Sequence, residues 1–208
     1  MSNLNVKLLL SGFLIALAVD TAIGQVDIVF SDGTTIGSTF NVNVGDTQTI
    51  SVIAAETQAG TDLSTIGING FGFLLDADPT SGTASVITGF TANPDLDGAL
   101  GRIDIVAEDS VQERRTNFVN VPGTSVLLGD LDISVTEPGT TLFTLADFSA
   151  AGEFGTSGGD SLDADIFQGG RTFSFVVNGV SAIPEPSGSV LIGLSMLASM
   201  IRRKRRCS

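Results

Sequence analysis

Apolar and polar side chains alternate along one short segment after another between residues 25 and 183. In the segment FNVNV, for example, Phe40, Val42 and Val44 are separated by asparagines. Successive side chains of a β-strand point to opposite faces of a sheet, so a period of two predicts strands with one buried face. The same pattern recurs at residues 49–52, 71–75, 102–105, 130–135 and 173–177.

Turn-forming dipeptides separate these segments. They are Gly45-Asp46, Asp78-Pro79, Asn93-Pro94, Pro122-Gly123, Pro138-Gly139 and Gly158-Gly159. No apolar stripe of helical period is sustained, and helix is expected only as short turns near residues 62–66 or 145–150. Parallel sheets need long crossover connections, which the pattern lacks. The sequence therefore predicts an all-β fold, an antiparallel β-sandwich or jelly roll of about eight to ten strands around the alternating Phe and aliphatic side chains.

Charge is distributed very unevenly along the chain. Residues 25–183 contain 21 acidic residues and four arginines, a formal charge of −17. Such a surface repels phosphate backbones, so nucleic acid is not an expected partner. The chain has no His and a single Cys, Cys207, which excludes catalysis by Ser-His-Asp or Cys-His groups and any His-ligated zinc site. The local sequence around Arg114-Arg115 is acidic, and charge pairing at the surface is expected there.

The first 24 residues have the layout of a signal peptide. Lys7 precedes an apolar run at residues 8–19, and Ala22 and Gly24 place small residues at positions −3 and −1 of a cleavage site. The run is shorter than the roughly 20 apolar residues that span a bilayer. We expect a signal helix that signal peptidase removes, with a buried N-terminal helix as the alternative.

The C-terminal segment, residues 182–208, combines three features in a fixed order. Pro184-Glu185-Pro186 holds the chain extended, and the uncharged residues 187–201 follow. A basic cluster then ends the chain, formed by Arg202, Arg203, Lys204, Arg205 and Arg206. Basic clusters stay on the cytoplasmic side of a membrane, so we expect a short membrane helix with residues 25–181 outside the cell.

This tail resembles the PEP-CTERM sorting signal of exosortase substrates. The resemblance implies that an exosortase-type membrane protease recognises the tail, cuts near Pro184-Glu185-Pro186, and releases or attaches the protein after transient anchoring in the inner membrane. It also implies an association with extracellular polysaccharide. An ordinary C-terminal anchor is the alternative.

A second resemblance lies in the middle of the chain. FNVNVGDTQTISVIA, residues 40–54, and INGFGFLLDADP, residues 68–79, look like the opening half of cohesin-like sandwiches and related carbohydrate-binding modules. The resemblance implies a fold, and fold alone does not give function. We therefore expect a non-enzymatic surface or extracellular-matrix protein; the alternative is a carbohydrate-binding or cohesin-like protein-interaction module. A glycan hydrolase is a third reading, but no carboxylate pair stands out and Trp and Tyr are absent.

Three groups of closely spaced acids are candidates for a hard cation such as Ca²⁺, because carboxylates on a loop supply the oxygen ligands that it prefers. The preferred group is Asp160, Asp163 and Asp165, where three like charges would repel one another without a counterion. The others are Asp76 with Asp78 and Asp95 with Asp97. Solvated turns on an acidic surface are the alternative explanation. Phe148, Phe154 and Phe167 lie in irregular sequence, where core packing is favoured over exposure.

Overall fold

A computed structural model describes the chain at residues 26–57, 63–79, 85–98, 101–149, 152–156 and 158–181. The predicted signal peptide, residues 1–24, and the predicted sorting tail, residues 182–208, lie outside these ranges. Within them, no helix is both long and apolar enough to cross a membrane.

The described residues form ten strands and two short helices. The strands are β1 (Val26–Ser31), β2 (Thr39–Asn43), β3 (Thr47–Glu56), β4 (Ile68–Pro79), β5 (Ser85–Ala92), β6 (Gly101–Val106), β7 (Ser110–Val121), β8 (Ser125–Val135), β9 (Gly139–Asp147) and β10 (Phe173–Val180). The helices are α1 (Leu63–Ile66) and α2 (Asp163–Ile166), and a 3₁₀ turn spans Gln168–Gly170.

The strands pair into two sheets that pack as a sandwich. One has four strands in the order β1-β3-β8-β5, and the other has six in the order β2-β10-β9-β4-β7-β6. Each pair runs antiparallel except β2 with β10, which is parallel. The parallel pair is possible because β2 and β10 are far apart in sequence, so a long stretch of chain connects them. The predicted all-β sandwich is confirmed.

The alternating pattern of the sequence becomes the buried face of each strand. In β8, Leu131, Ile133 and Val135 are buried and the residues between them are partly exposed. The central segment of β10 and β9 contributes a stacked Phe pair, Phe143 and Phe175, with ring centroids 4.8 Å apart. Burial of such side chains stabilises the sandwich by about 1.5–3 kcal/mol each.

Irregular sequence also supplies core. Phe154 and Phe167 are buried and their rings lie 5.8 Å apart, edge to face. Phe154 also contacts Phe71 of β4, at 6.4 Å between centroids. Core packing, favoured by the sequence for these two residues, is what the structure shows, and Phe148 is half-buried.

Two local expectations are wrong. The alternating Ile103 and Ile105 do not enter the core; Ile105 is 53% exposed because β6 is the outermost strand of the wider, six-stranded sheet. The expected helical turn near residues 145–150 is instead the end of β9, which pairs with β4 as far as Asp147. The other expected helical turn exists as α1.

Candidate functional site

Three acidic side chains from different parts of the chain converge beside β4. Asp147 is the last residue of β9, Glu153 lies in the following loop, and Asp163 is the first residue of α2. One carboxylate oxygen from each residue lies within 4.8 Å of the other two. We call these three residues the carboxylate cluster.

A tight hairpin brings two members of the cluster together. The backbone N–H of Leu162 donates to the carbonyl of Phe154 at 2.8 Å, and that of Thr156 donates to the carbonyl of Asp160 at 3.0 Å. The turn lies at Gly158-Gly159, and Gly159 has φ of +81°, a conformation that favours glycine. Residues equally distant from this turn face each other, so Glu153 comes to lie opposite Asp163.

Hydrogen bonds fix the orientation of both side chains. Asp163 accepts from the backbone N–H of Phe154 through Oδ1 and from the hydroxyl of Ser161 through Oδ2, both at 3.1 Å. Glu153 accepts from the hydroxyl of Ser149 through Oε1 at 2.5 Å. One carboxylate oxygen of Glu153, Oε2, is left for other partners.

Two glycines make room for the cluster. A Cβ on Gly72 of β4 would lie 2.8 Å from both Cβ and Cγ of Glu153, closer than real Cβ contacts. Gly152 has φ of +84°, and a Cβ there would lie 3.0 Å from Oγ of Ser161. The carboxylate cluster therefore depends on close backbone approach at these positions.

The electrostatics of the cluster are unfavourable by themselves. Burial raises the pKa of Asp147, and the neighbouring Asp163 and Glu153 raise it further. Burial also raises the pKa of Asp163 against the hydrogen bonds that lower it. Two carboxylates about 4.8 Å apart repel by roughly 3–4 kcal/mol at an effective dielectric constant of 20. Within the described part of the chain, none of the ion pairs involves these three residues.

Two oxygens of the cluster are also left without hydrogen bonds. Oδ1 of Asp147 and Oε2 of Glu153 are buried and have no hydrogen-bond partner among the described residues. Glu153 is only 5% exposed. Buried polar atoms are normally paired, so an unpaired carboxylate oxygen indicates a missing partner.

The predicted trio of acids is not brought together. Asp163 belongs to the cluster, whereas Asp160 is exposed and Asp165 is half-buried on the short helix α2. Sequence reasoning missed Asp147 and Glu153, since neither is near another acid in sequence. The signal that could have found Glu153 is the Gly158-Gly159 turn, from which the facing pair can be counted outwards.

The other acidic pairs lie elsewhere. Asp76 and Asp78 are exposed on β4. Asp95 is exposed in the loop after β5, and Asp97 forms an ion pair with Arg115. Neither pair belongs to a group of three converging acids within the described residues.

A buried charge cluster lies under the six-stranded sheet. Arg115 is 2% exposed and donates through Nε to Glu113, which is fully buried. Its Nη1 lies 2.6 Å from Asp97 and its Nη2 lies 3.5 Å from Asp104, which also pairs with Arg102. The surface pairing expected from the sequence is wrong for Arg115, because the alternation of β7 turns Glu113 and Arg115 to the buried face.

The charges of this cluster do not balance when all are ionised. Three carboxylates face two guanidinium groups, so a neutral Glu113 would leave the cluster uncharged. Burial raises the pKa of Glu113 from 4.5 to about 7, although Arg115 opposes the rise. Oε2 of Glu113 has no hydrogen-bond partner among the described residues. Arg115 already supplies the positive charge here, so this cluster stabilises structure and is not a cation site.

The outward face of the four-stranded sheet combines apolar and acidic side chains. Val29 of β1, Ile53 of β3 and Leu127 of β8 are neighbours across the strands and are half-buried. Beside them, Asp130 accepts from Ser51 at 2.6 Å and Asp132 from Thr49 at 2.7 Å, which holds both carboxylates in place. None of the four strands contains Lys or Arg. We call this surface the β3–β8 face.

A shallow apolar groove lies at one edge of the sandwich. It has a volume of about 210 Å³ and is lined by Ile28, Phe30, Ile36 and Phe173 among others. Ligand pockets usually measure about 300–1,000 Å³. The groove is therefore too small to be a typical small-molecule site.

The fold is similar to that of cohesin modules. A type III cohesin module from the cell-surface-anchoring scaffoldin ScaE of Ruminococcus flavefaciens matches with a TM-score of 0.52 at 10% identity, over 79% of this chain and 92% of the module. A cohesin module of a family 33 glycoside hydrolase from Clostridium perfringens matches with a TM-score of 0.48 at 12% identity, over 77% and 98%.

A type II cohesin, solved as a complex with X-dockerin from Acetivibrio cellulolyticus, matches with a TM-score of 0.42 at 13% identity, over 76% of this chain and 95% of that one. No protein-family model matches the sequence, and no curated protein sequence matches it significantly. At these identities the likeness concerns the fold alone. The cohesin-like sandwich expected from residues 40–79 is confirmed at that level.

Proposed function

We propose that this chain is an exported, non-enzymatic surface protein whose sandwich binds another protein through the β3–β8 face. The observation that carries the proposal is a cohesin-like sandwich with an open sheet face of mixed apolar and acidic character. The fold likeness to a module of a cell-surface-anchoring scaffoldin supports this reading over an enzymatic one. Fold likeness alone would not suffice, so the side chains of the face must carry the argument.

The β3–β8 face has the chemistry of a protein-binding surface. Val29, Ile53 and Leu127 form an apolar strip that is already partly desolvated, and further burial of apolar surface favours association. Asp130 and Asp132 flank the strip and are held by hydroxyl groups, so they lose little conformational freedom on binding. The partner that fits presents an apolar ridge bordered by Lys or Arg.

A sugar ligand fits this face less well. Sugar-binding surfaces rely on exposed aromatic rings, and the chain has no Trp or Tyr. The Phe rings that the structure describes on the strands point inwards: Phe30, Phe71, Phe143 and Phe175 are buried. The association with extracellular polysaccharide, expected from the sorting tail, therefore remains a separate proposal about where the protein works.

The binding proposal is tested by capture from surface extracts of the native host. The biotinylated full chain is used as bait, and Leu127→Arg places a positive charge in the apolar strip. The matched control is Ile105→Arg, at an exposed position on the edge of the other sheet. We expect one protein to be captured by the wild type and the control, to be lost with Leu127→Arg, and to bind less well as salt increases. Equal capture by all three proteins contradicts the proposal, and melting curves verify that both variants fold.

Export and sorting are tested by the intact mass of protein recovered from the host. We expect the mature chain to begin after Gly24 and to lack the basic cluster of residues 202–206. Replacing Pro184 and Pro186 with alanine should leave the basic cluster on the protein. A mature wild-type chain that still ends in the basic cluster contradicts sorting by cleavage and supports an ordinary anchor.

A further inference from the structure

We infer that the carboxylate cluster of Asp147, Glu153 and Asp163 is a calcium-binding site that fixes the loop between β9 and β10 onto the edge of β4. This inference does not depend on the proposed function. It rests on the convergence of three carboxylates and on the buried, unpaired oxygens that they direct at one another.

The geometry suits one ion. Three oxygens that all lie within 4.8 Å of one another can each contact a central ion at a distance of about 2.3–2.6 Å, the range for Ca²⁺. Oxygen is the only ligand type that these side chains offer, which favours a hard cation over the softer transition metals. Ca²⁺ takes about six to eight oxygens, and water can supply those that the carboxylates do not.

Glu153 provides the independent observation. It is 5% exposed, and its Oε2 has no hydrogen-bond partner among the residues described. Its other oxygen, Oε1, is held by Ser149, which keeps the side chain turned towards the cluster. A buried carboxylate oxygen with no donor is costly unless a cation satisfies it.

The surroundings are built to hold this side chain. Gly72 leaves the space that the Cβ and Cγ of Glu153 occupy. The loop is docked on β4 by backbone hydrogen bonds, since Asn69 donates to the carbonyl of Gly155 at 3.0 Å and Gly155 donates to that of Gly70 at 3.2 Å. A bound cation would join this docked segment to the end of β9 and the start of α2.

A structural consequence follows from the position of the site. The loop that contains Glu153 also inserts Phe154 into the core, against Phe71 and Phe167. Occupancy of the site should therefore affect the stability of the whole sandwich and not only of the loop.

The test uses the full chain in mild detergent after removal of metals with a chelator. Titration calorimetry with CaCl2 measures binding, and far-ultraviolet circular dichroism follows thermal unfolding, since Trp and Tyr fluorescence is absent from this chain. We expect one calcium per chain and a melting temperature that rises by several degrees in 2 mM calcium. Magnesium should bind at least tenfold more weakly, because it requires a smaller and stricter octahedral site.

Two matched variants separate the site from general acidity. Glu153→Gln should weaken calcium binding at least tenfold and abolish the calcium-dependent rise in melting temperature. Without calcium it should melt no lower than the wild type, because one of three mutually repelling charges is gone. Asp160→Asn, an exposed acid on the same hairpin, should bind calcium as the wild type does.

Three results would overturn the inference. The first is the absence of both binding heat and a melting shift for the wild type at 5 mM calcium. The second is an equal loss of binding in Asp160→Asn and Glu153→Gln, which would indicate diffuse attraction to an acidic surface. The third is magnesium binding as strong as calcium binding.

Discussion

Replacing Glu113 with glutamine should make the protein less sensitive to rising pH. Glu113 is fully buried beside Arg115, and burial raises its pKa to about 7. Glutamine keeps an oxygen that can accept from Nε of Arg115, and it remains uncharged at every pH. The variant therefore imitates the protonated form of Glu113, while Asp97 and Asp104 still neutralise the two arginines of the cluster.

The direction and size of the effect follow from the shift. The pKa of Glu113 is higher in the folded chain than its ordinary value of 4.5, so the folded state binds the proton more tightly. The stability that this provides is fully present below pH 4.5 and is lost as pH rises through about 7. Since one pKa unit corresponds to about 1.4 kcal/mol, the wild type should lose about 3 kcal/mol relative to Glu113→Gln between pH 4.5 and pH 8.5.

Urea unfolding at a series of pH values measures this difference. The unfolding free energy of each protein is followed by far-ultraviolet circular dichroism from pH 4.5 to pH 8.5. Other acids titrate in both proteins, so only the difference between the two curves is interpreted. Glu108→Gln, at an exposed position, is the matched control and should run parallel to the wild type. A difference between Glu113→Gln and the wild type that stays constant with pH would refute a raised pKa at Glu113.

Three further measurements test the packing and the turns. Phe175→Ala should cost about 3–5 kcal/mol in urea unfolding, because its ring is fully buried against the neighbouring Phe rings, whereas Ile36→Ala, at a position 69% exposed, should change stability by less than about 0.5 kcal/mol; similar costs would place Phe175 outside the core. Gly72→Ala should cost about 1–3 kcal/mol, because its Cβ would lie 2.8 Å from Glu153; an unchanged melting temperature would mean that the loop is not docked there. NMR titration of Asp32 should give a pKa of about 2, lowered by hydrogen bonds from the backbone and side chains of its turn, and an ordinary value near 4 would exclude that turn.

Much of the fold can be predicted from local sequence. Period-two alternation identified the core-facing residues of β3, β8 and β10, because the geometry of a strand allows only two directions for a side chain. Turn residues such as Asn93-Pro94 and Pro138-Gly139 marked the ends of strands for equally local reasons. The same rule failed at Ile105, where alternation is present but no second sheet covers the strand. Alternation shows which side chains share a face, whereas burial depends on what packs against that face.

The sequence by itself determined an acidic, strand-rich chain without the residues for His-dependent chemistry, since composition and periodicity are properties of neighbouring residues. Only the tertiary structure decided which acids meet. Asp147, Glu153 and Asp163 converge because β9 ends beside β4 and a hairpin folds back on the same strand. Glu113 and Arg115 became a buried charge pair because β7 lies inside the wider sheet. Contacts of this kind depend on strand order and register, which are set by the packing of the whole chain.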